Sequence, residues 1–145
     1  MATISAELVQ GYEVQISDGA HRWRADEPIH LGGTDTGPNP YELLLGSVAA
    51  CTCITLSMYA KRKGIALESV TARYSFDRVH SDDCEFCEDT DRGMIDTISS
   101  EIEIVGDLTP EQSARLEQIA ARCPVHKTLE REIRFNDTAV ARSTS

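Results

Sequence analysis

The reactive chemistry open to this 145-residue chain is concentrated in five cysteines. Cys51 and Cys53 end the apolar run "NPYELLLGSVAACTC", Cys84 and Cys87 sit in the acidic stretch "HSDDCEFCEDTD", and Cys123 stands in "ARCPVHKTLE". A buried cysteine serves either as a small hydrophobe or as a nucleophile whose thiolate is tuned by its surroundings. Cys51 and Cys53 cannot pair with each other on one helix, because residues two apart point about 200° away from each other. One of them at most shares a pocket with a distant partner, and Cys123, just before a proline, is the thiol best placed to change the bland reading of either. Its own alternative is core packing.

Cys84 and Cys87 form a lone C-x2-C, which is half of a zinc site. His80, His126 or the same loop of a second chain would have to supply the other ligands; the alternatives are an auxiliary redox pair or no defined role. The six surrounding carboxylates, Asp82, Asp83, Glu85, Glu88, Asp89 and Asp91, raise a thiol pKa and favour a bound cation. His126, three residues after Cys123, is either a group that lowers a thiol pKa or a surface histidine. His21 and His30 join no cluster.

The elements that must position these thiols are readable from pattern. Residues 7–16 alternate as a strand, Asp18-Gly19 marks a hairpin, "HRWRAD" returns and "PIHLGG" reads as a short third strand. Asn39, Pro40 and Glu42 in order are a helix start, with Asn as cap and Glu closing the capping box. That helix should run over 40–63 and stop at Gly64, with "KRK" against the negative end of its dipole. It is apolar on almost every side, more than one small domain covers alone, so a second copy of the chain is expected over part of it. "SVTARYSFDRVH" and "MIDTISSEIEIVG" alternate as strands. Thr109 to Gln112 repeat the capping box and open an amphipathic helix ending near Cys123, and "TLEREIRF" reads as a last strand. The expected fold is α+β, in the order βββ-α-ββ-α-β, within one domain over 1–145 whose core spans about 7–135.

Composition narrows the function. With 41% hydrophobic and 26% charged residues the chain is that of a globular protein, and its formal net charge of −10 opposes a phosphate backbone. No nucleic-acid or membrane partner is expected, since no uninterrupted apolar run reaches about 18 residues. The start "MATISAELVQGYEVQ" lacks a signal core, so a cytoplasmic location with reduced thiols is expected. No Gly-rich phosphate loop, G-x-S-x-G or H-E-x-x-H occurs.

The stretch "GTDTGPNPYELLLGSVAACTC", with its Asn-Pro-x-Glu-Leu start and Ala-Ala-Cys end, resembles the first helix of the OsmC/Ohr family of organic-hydroperoxide-resistance proteins. "CPVHKTL" is similar to that family's second cysteine site. The resemblance implies an OsmC-like fold, an intertwined homodimer with a buried central helix, and a thiol peroxidase that needs no cofactor. By the same resemblance Cys51 is the attacking thiolate, Cys123 the resolving thiol with which it forms a disulfide, and a dithiol, of lipoyl type among others, the reductant. Cys53 has no counterpart role and reads as packing. The family's arginine and glutamate carry over to Arg24, with Arg22 in the same region as the other candidate, and to Glu42. Nine residues before Cys51, about 13.5 Å along the axis and on the opposite face, Glu42 could reach only a partner's sulfur; its other reading is the capping box. The pattern departs in having Tyr41 directly after Asn-Pro, as in a branch also found fused to hydrolases. The competing reading is a metal-binding or redox-sensing protein without peroxidase turnover, and a third is a hydrolase-like accessory domain.

Overall fold

Gly11 adopts φ +53°, a left-handed conformation that side-chain-bearing residues avoid, and there the chain reverses. The alternating segment from Glu7 to Ile16 is therefore two strands and not the single strand its pattern suggests. In the computed structural model, which describes residues 1–80 and 94–144, β1 (Ser5–Gln10), β2 (Glu13–Ser17) and β3 (Arg22–Ala25) form an antiparallel sheet in that order. The Asp18-Gly19 hairpin forms as expected, its Asp18 carboxylate accepting the backbone N–H groups of Ala20 and His21. "PIHLGG" contributes no strand; Ile29–Leu31 is a single 3-10 turn.

Helix α1 (Pro40–Lys63) has the expected bounds. The Asn39 carbonyl oxygen of the side chain accepts from the Glu42 N–H at 2.9 Å, the Glu42 carboxylate accepts from the Asn39 N–H at 2.8 Å, and Gly64 closes the helix in the left-handed region. Its own chain buries one stripe only: Val48, Thr52, Leu56 and Ala60, each one turn after the last. On its uncovered side Ile54 is 53% and Met58 68% exposed. Among the described residues α1 is also the one helix apolar enough on average to cross a membrane, which the interrupted apolar run did not suggest.

From Gly64 the chain turns into β4 (Ala66–His80), which pairs antiparallel with β5 (Met94–Asp107) in a long hairpin. Cross-strand partners such as Val70 with Ile104 and Ala72 with Ile102 give this sheet one apolar face. Helix α2 (Pro110–Ala120) starts at the predicted Thr109–Gln112 capping box and ends three residues short of Cys123. Leu116, Ile119 and Ala120 pack with Leu56 into the core, flanked by Tyr59, Ile65, Leu67 and Ile102.

The expected last strand is absent. Pro124 sits at the first position of a short helix, α3 (Pro124–Leu129), and residues 130–144 form no regular element. The alternation in "TLEREIRF" finds no sheet edge to join, and Ile133 and Phe135 stay exposed. Helix α1 packs on β4, α2 and α3, whereas the three-stranded sheet makes no substantial interface with any of them within the chain.

Candidate active site

Cys51 and Thr52 lie in the middle of α1, and Cys123 caps α3, so the contact of α1 with α3 is what brings the two thiols together. The Cys123 sulfur is fully buried. It points to the Val48 carbonyl oxygen at 3.9 Å, accepts the His126 N–H at 3.4 Å, and lies near enough to the Cys51 sulfur for the two thiols to shift each other's ionisation. Cys51 is half-buried, with its Sγ 4.0 Å from the Thr55 hydroxyl.

The two thiols are not equivalent. Burial disfavours the thiolate of Cys51, but donation from Cys123, the Val125 N–H and Thr55 outweighs it, so the Cys51 pKa lies below the ordinary thiol value. At Cys123 burial and the Cys51 sulfur both push the pKa up, against donors from His126 and Thr52. Cys51 is thus the group that ionises first and Cys123 the thiol that donates to it. Their contact is suited to forming and breaking one disulfide.

Thr52, the next residue of α1, is also fully buried, and its hydroxyl lies 2.8 Å from the Tyr74 hydroxyl on β4. Past Val48 and His126 opens a cavity of about 290 Å³ whose wall also includes Tyr74, Ile98 and Leu129, with Asp96 and Glu130 at its polar side; neither thiol lines it. The His126 ring does not face the thiols: its Nε2 lies 2.9 Å from a Glu130 carboxylate oxygen, and only its backbone N–H serves Cys123.

The remaining expected site residues are elsewhere. Arg24 projects outward from β3 and pairs with Glu13, Nε to Oε1 3.1 Å, and Arg22, two residues earlier and therefore on the same face of the strand, is exposed as well. Glu42 is held in the capping box at the start of α1. Neither is brought to Cys51 within one protomer. Cys53 lies half-buried on another side of α1. Cys84 and Cys87 lie outside the described residues, and so does the His80 side chain; among the described residues no group of three or more His, Cys, Asp and Glu could hold a metal ion.

Asp26 was not singled out from the sequence. It is 2% exposed and accepts the hydroxyls of Thr34 at 2.5 Å and Thr36 at 2.7 Å, together with the N–H groups of Glu27 and Thr36. Those hydroxyls, with burial acting against them, hold its carboxyl well below the usual range. The Asp26 N–H in turn donates to the Pro38 carbonyl at 3.1 Å, fixing the loop that leads into α1.

Residues 33–136 match the family model described as OsmC-like protein. Solved structures share the fold. An OsmC-like protein from Mycoplasma pneumoniae is 23% identical with TM-score 0.69, the match covering 90% of this chain and 87% of that one. An organic hydroperoxide resistance protein OsmC from Legionella pneumophila is 21% identical with TM-score 0.61, covering 89% and 88%. The organic hydroperoxide resistance protein OhrB of Bacillus subtilis is 22% identical with TM-score 0.57, covering 88% and 89%. A search of curated proteins finds no match.

Proposed function

Because the chain belongs to the OsmC-like protein family, we propose that it is a cysteine-based peroxidase for small organic hydroperoxides. The observation that carries the reading is the contact of Cys51 with Cys123, in which the first thiol has a lowered and the second a raised pKa. The names of the Legionella pneumophila and Bacillus subtilis relatives support the substrate class.

The Cys51 thiolate attacks one peroxide oxygen, the O–O bond breaks, and the alkoxide takes a proton and leaves as an alcohol. Cys51 is then a sulfenic acid. The Cys123 sulfur displaces its hydroxyl, which departs as water, and the two sulfurs form a disulfide. A dithiol reductant, lipoyl-type compounds included, restores both thiols by exchange. The cavity past Val48 and His126 offers an apolar wall for the organic part of the peroxide.

The working unit is proposed to be a homodimer in the reducing cytoplasm. The uncovered apolar side of α1 and the unpacked three-stranded sheet support a second copy. Arg24 and Glu42 enter this mechanism only through that copy. Zinc, if held by Cys84, Cys87 and His80, has no part in it.

Mass spectrometry of the reduced protein after one equivalent of an organic hydroperoxide tests the reading. A Cys51–Cys123 disulfide, reversed by a dithiol with continued turnover, is expected. Thiols left intact would sink the peroxidase, and a disulfide that forms without turnover would favour a redox sensor.

A further inference from the structure

Cys123 presents a problem that the peroxidase reading leaves open. Its sulfur must become nucleophilic at the moment it attacks, yet it is fully buried, away from water. The helix around it supplies an answer. Val48 and Thr52 are one turn apart on the same stripe of α1. The Val48 carbonyl, a usual acceptor for a hydroxyl four residues on, faces the Cys123 sulfur instead. The Thr52 hydroxyl lies 2.8 Å from the Tyr74 hydroxyl, and Thr52 is buried beside Val48 in the same surroundings as the Cys123 sulfur, whose pKa its hydroxyl lowers.

We infer that Thr52, oriented by Tyr74, is the hydrogen-bond donor that stabilises the Cys123 sulfur while it attacks the Cys51 sulfenic acid. The Tyr74 O–H donates to the Thr52 oxygen, so the Thr52 hydrogen is directed to the sulfur. As the S–S bond forms, the S–O bond of the sulfenic acid breaks. The Cys123 proton leaves with that hydroxyl as water, so no further reactant is required. Negative charge on the Cys123 sulfur during the transfer is met by two donors, the Thr52 hydroxyl and the His126 N–H. Preorganised donors are worth most in such a water-excluded site. Thr52 therefore touches a reacting atom, while Tyr74 is a positioning residue. The inference rests on the peroxidase reading and concerns its second step only.

Thr52→Val, Thr52→Ser and Tyr74→Phe separate the steps. Reduced protein is mixed with one equivalent of an organic hydroperoxide, and the sulfenic acid is trapped with a cyclic 1,3-diketone while disulfide formation is timed. Thr52→Val is expected to consume peroxide within about twofold of the parent rate but to form the disulfide about tenfold more slowly, with sulfenic acid accumulating. Thr52→Ser restores the rate; Tyr74→Phe, which keeps the threonine, slows the same step by about threefold and serves if the valine variant does not fold. The pH profile of disulfide formation should move to higher pH in Thr52→Val and return in Thr52→Ser, which a packing role alone would not produce. Disulfide formation at the parent rate in Thr52→Val and Tyr74→Phe overturns the inference and leaves the peroxidase standing. No sulfenic acid in the parent protein overturns both.

Discussion

The Cys123 sulfur faces the Val48 carbonyl across the contact between α3 and α1, at 3.9 Å, and that contact sets one thiol against the other. Cys51 lies three residues after Val48, on the same side of the helix, whereas Cys53 is turned away. Cys51→Ser should lower organic-hydroperoxide consumption in the presence of a dithiol by roughly 100-fold or more. Cys53→Ser should stay within about twofold. Equal losses in the two variants would mean that neither thiol is the nucleophile.

The lowered pKa of Cys51 has a definite sign in a rate profile. The thiolate is the deprotonated form, so peroxide consumption rises with pH as Cys51 ionises and levels off before the pH of about 8.5 at which an ordinary thiol is half ionised. Stopped-flow rates across pH, with Thr55→Val as a comparison, measure this. Loss of the Thr55 hydroxyl should move the profile to higher pH, and a profile that tracks a free thiol would contradict the assignment.

Association should depend on the uncovered side of α1. Ile54→Lys places a charge among exposed apolar residues and should raise the dimer dissociation constant at least about tenfold in sedimentation experiments. A parent chain that sediments as a monomer at micromolar concentration removes the dimer.

Asp26 should make the loop before α1 sensitive to acid. Its carboxyl is lowered relative to the unfolded chain, so its contribution to stability is fully present above about pH 4 and is lost as pH falls through the folded value. Asp26→Asn should lower Tm at neutral pH by about 5 °C and flatten the loss of stability on acidification. An unchanged acid limb in calorimetry would contradict this.

The carboxylates that flank Cys84 and Cys87 in the sequence are expected to disfavour thiolates there. The Cys84→Ser/Cys87→Ser double variant should therefore keep peroxide consumption within about twofold. Elemental analysis of protein purified without chelators tests for zinc, and metal-free protein removes that role.

Local signals carried the helices and the long hairpin. Asn39, Pro40 and Glu42 together mark the start of α1 and Gly64 after the "KRK" marks its end, and the alternation around Val70 and Ile104 needs only its neighbour strand. Failures came where a pattern depends on what lies beside it. Ile133 and Phe135 alternate as strand residues do, but no edge receives them. Residues 7–16 alternate through Gly11 because a turn there costs the pattern nothing. At the site, Cys51 and Cys123 were legible by resemblance. Thr52 and Tyr74 were not, since their partnership spans 22 positions and neither type announces it. Asp26 was hidden in the same way, its threonines lying eight and ten residues on.

Between β3 and α1 the chain makes a detour with no net travel, because Asp26 holds both its departure, at Glu27, and its return, at Pro38. Length is therefore unequally tolerated along it. Extra residues at the exposed Ile29–Leu31 turn would enlarge the detour and leave its ends where they are. Gly33 is less forgiving, as a Cβ there would overlap the Glu27 carbonyl. Between Pro38 and Pro40 there is no slack. One residue added at that knuckle would separate the Pro38 carbonyl, tied to Asp26, from Asn39, which caps α1.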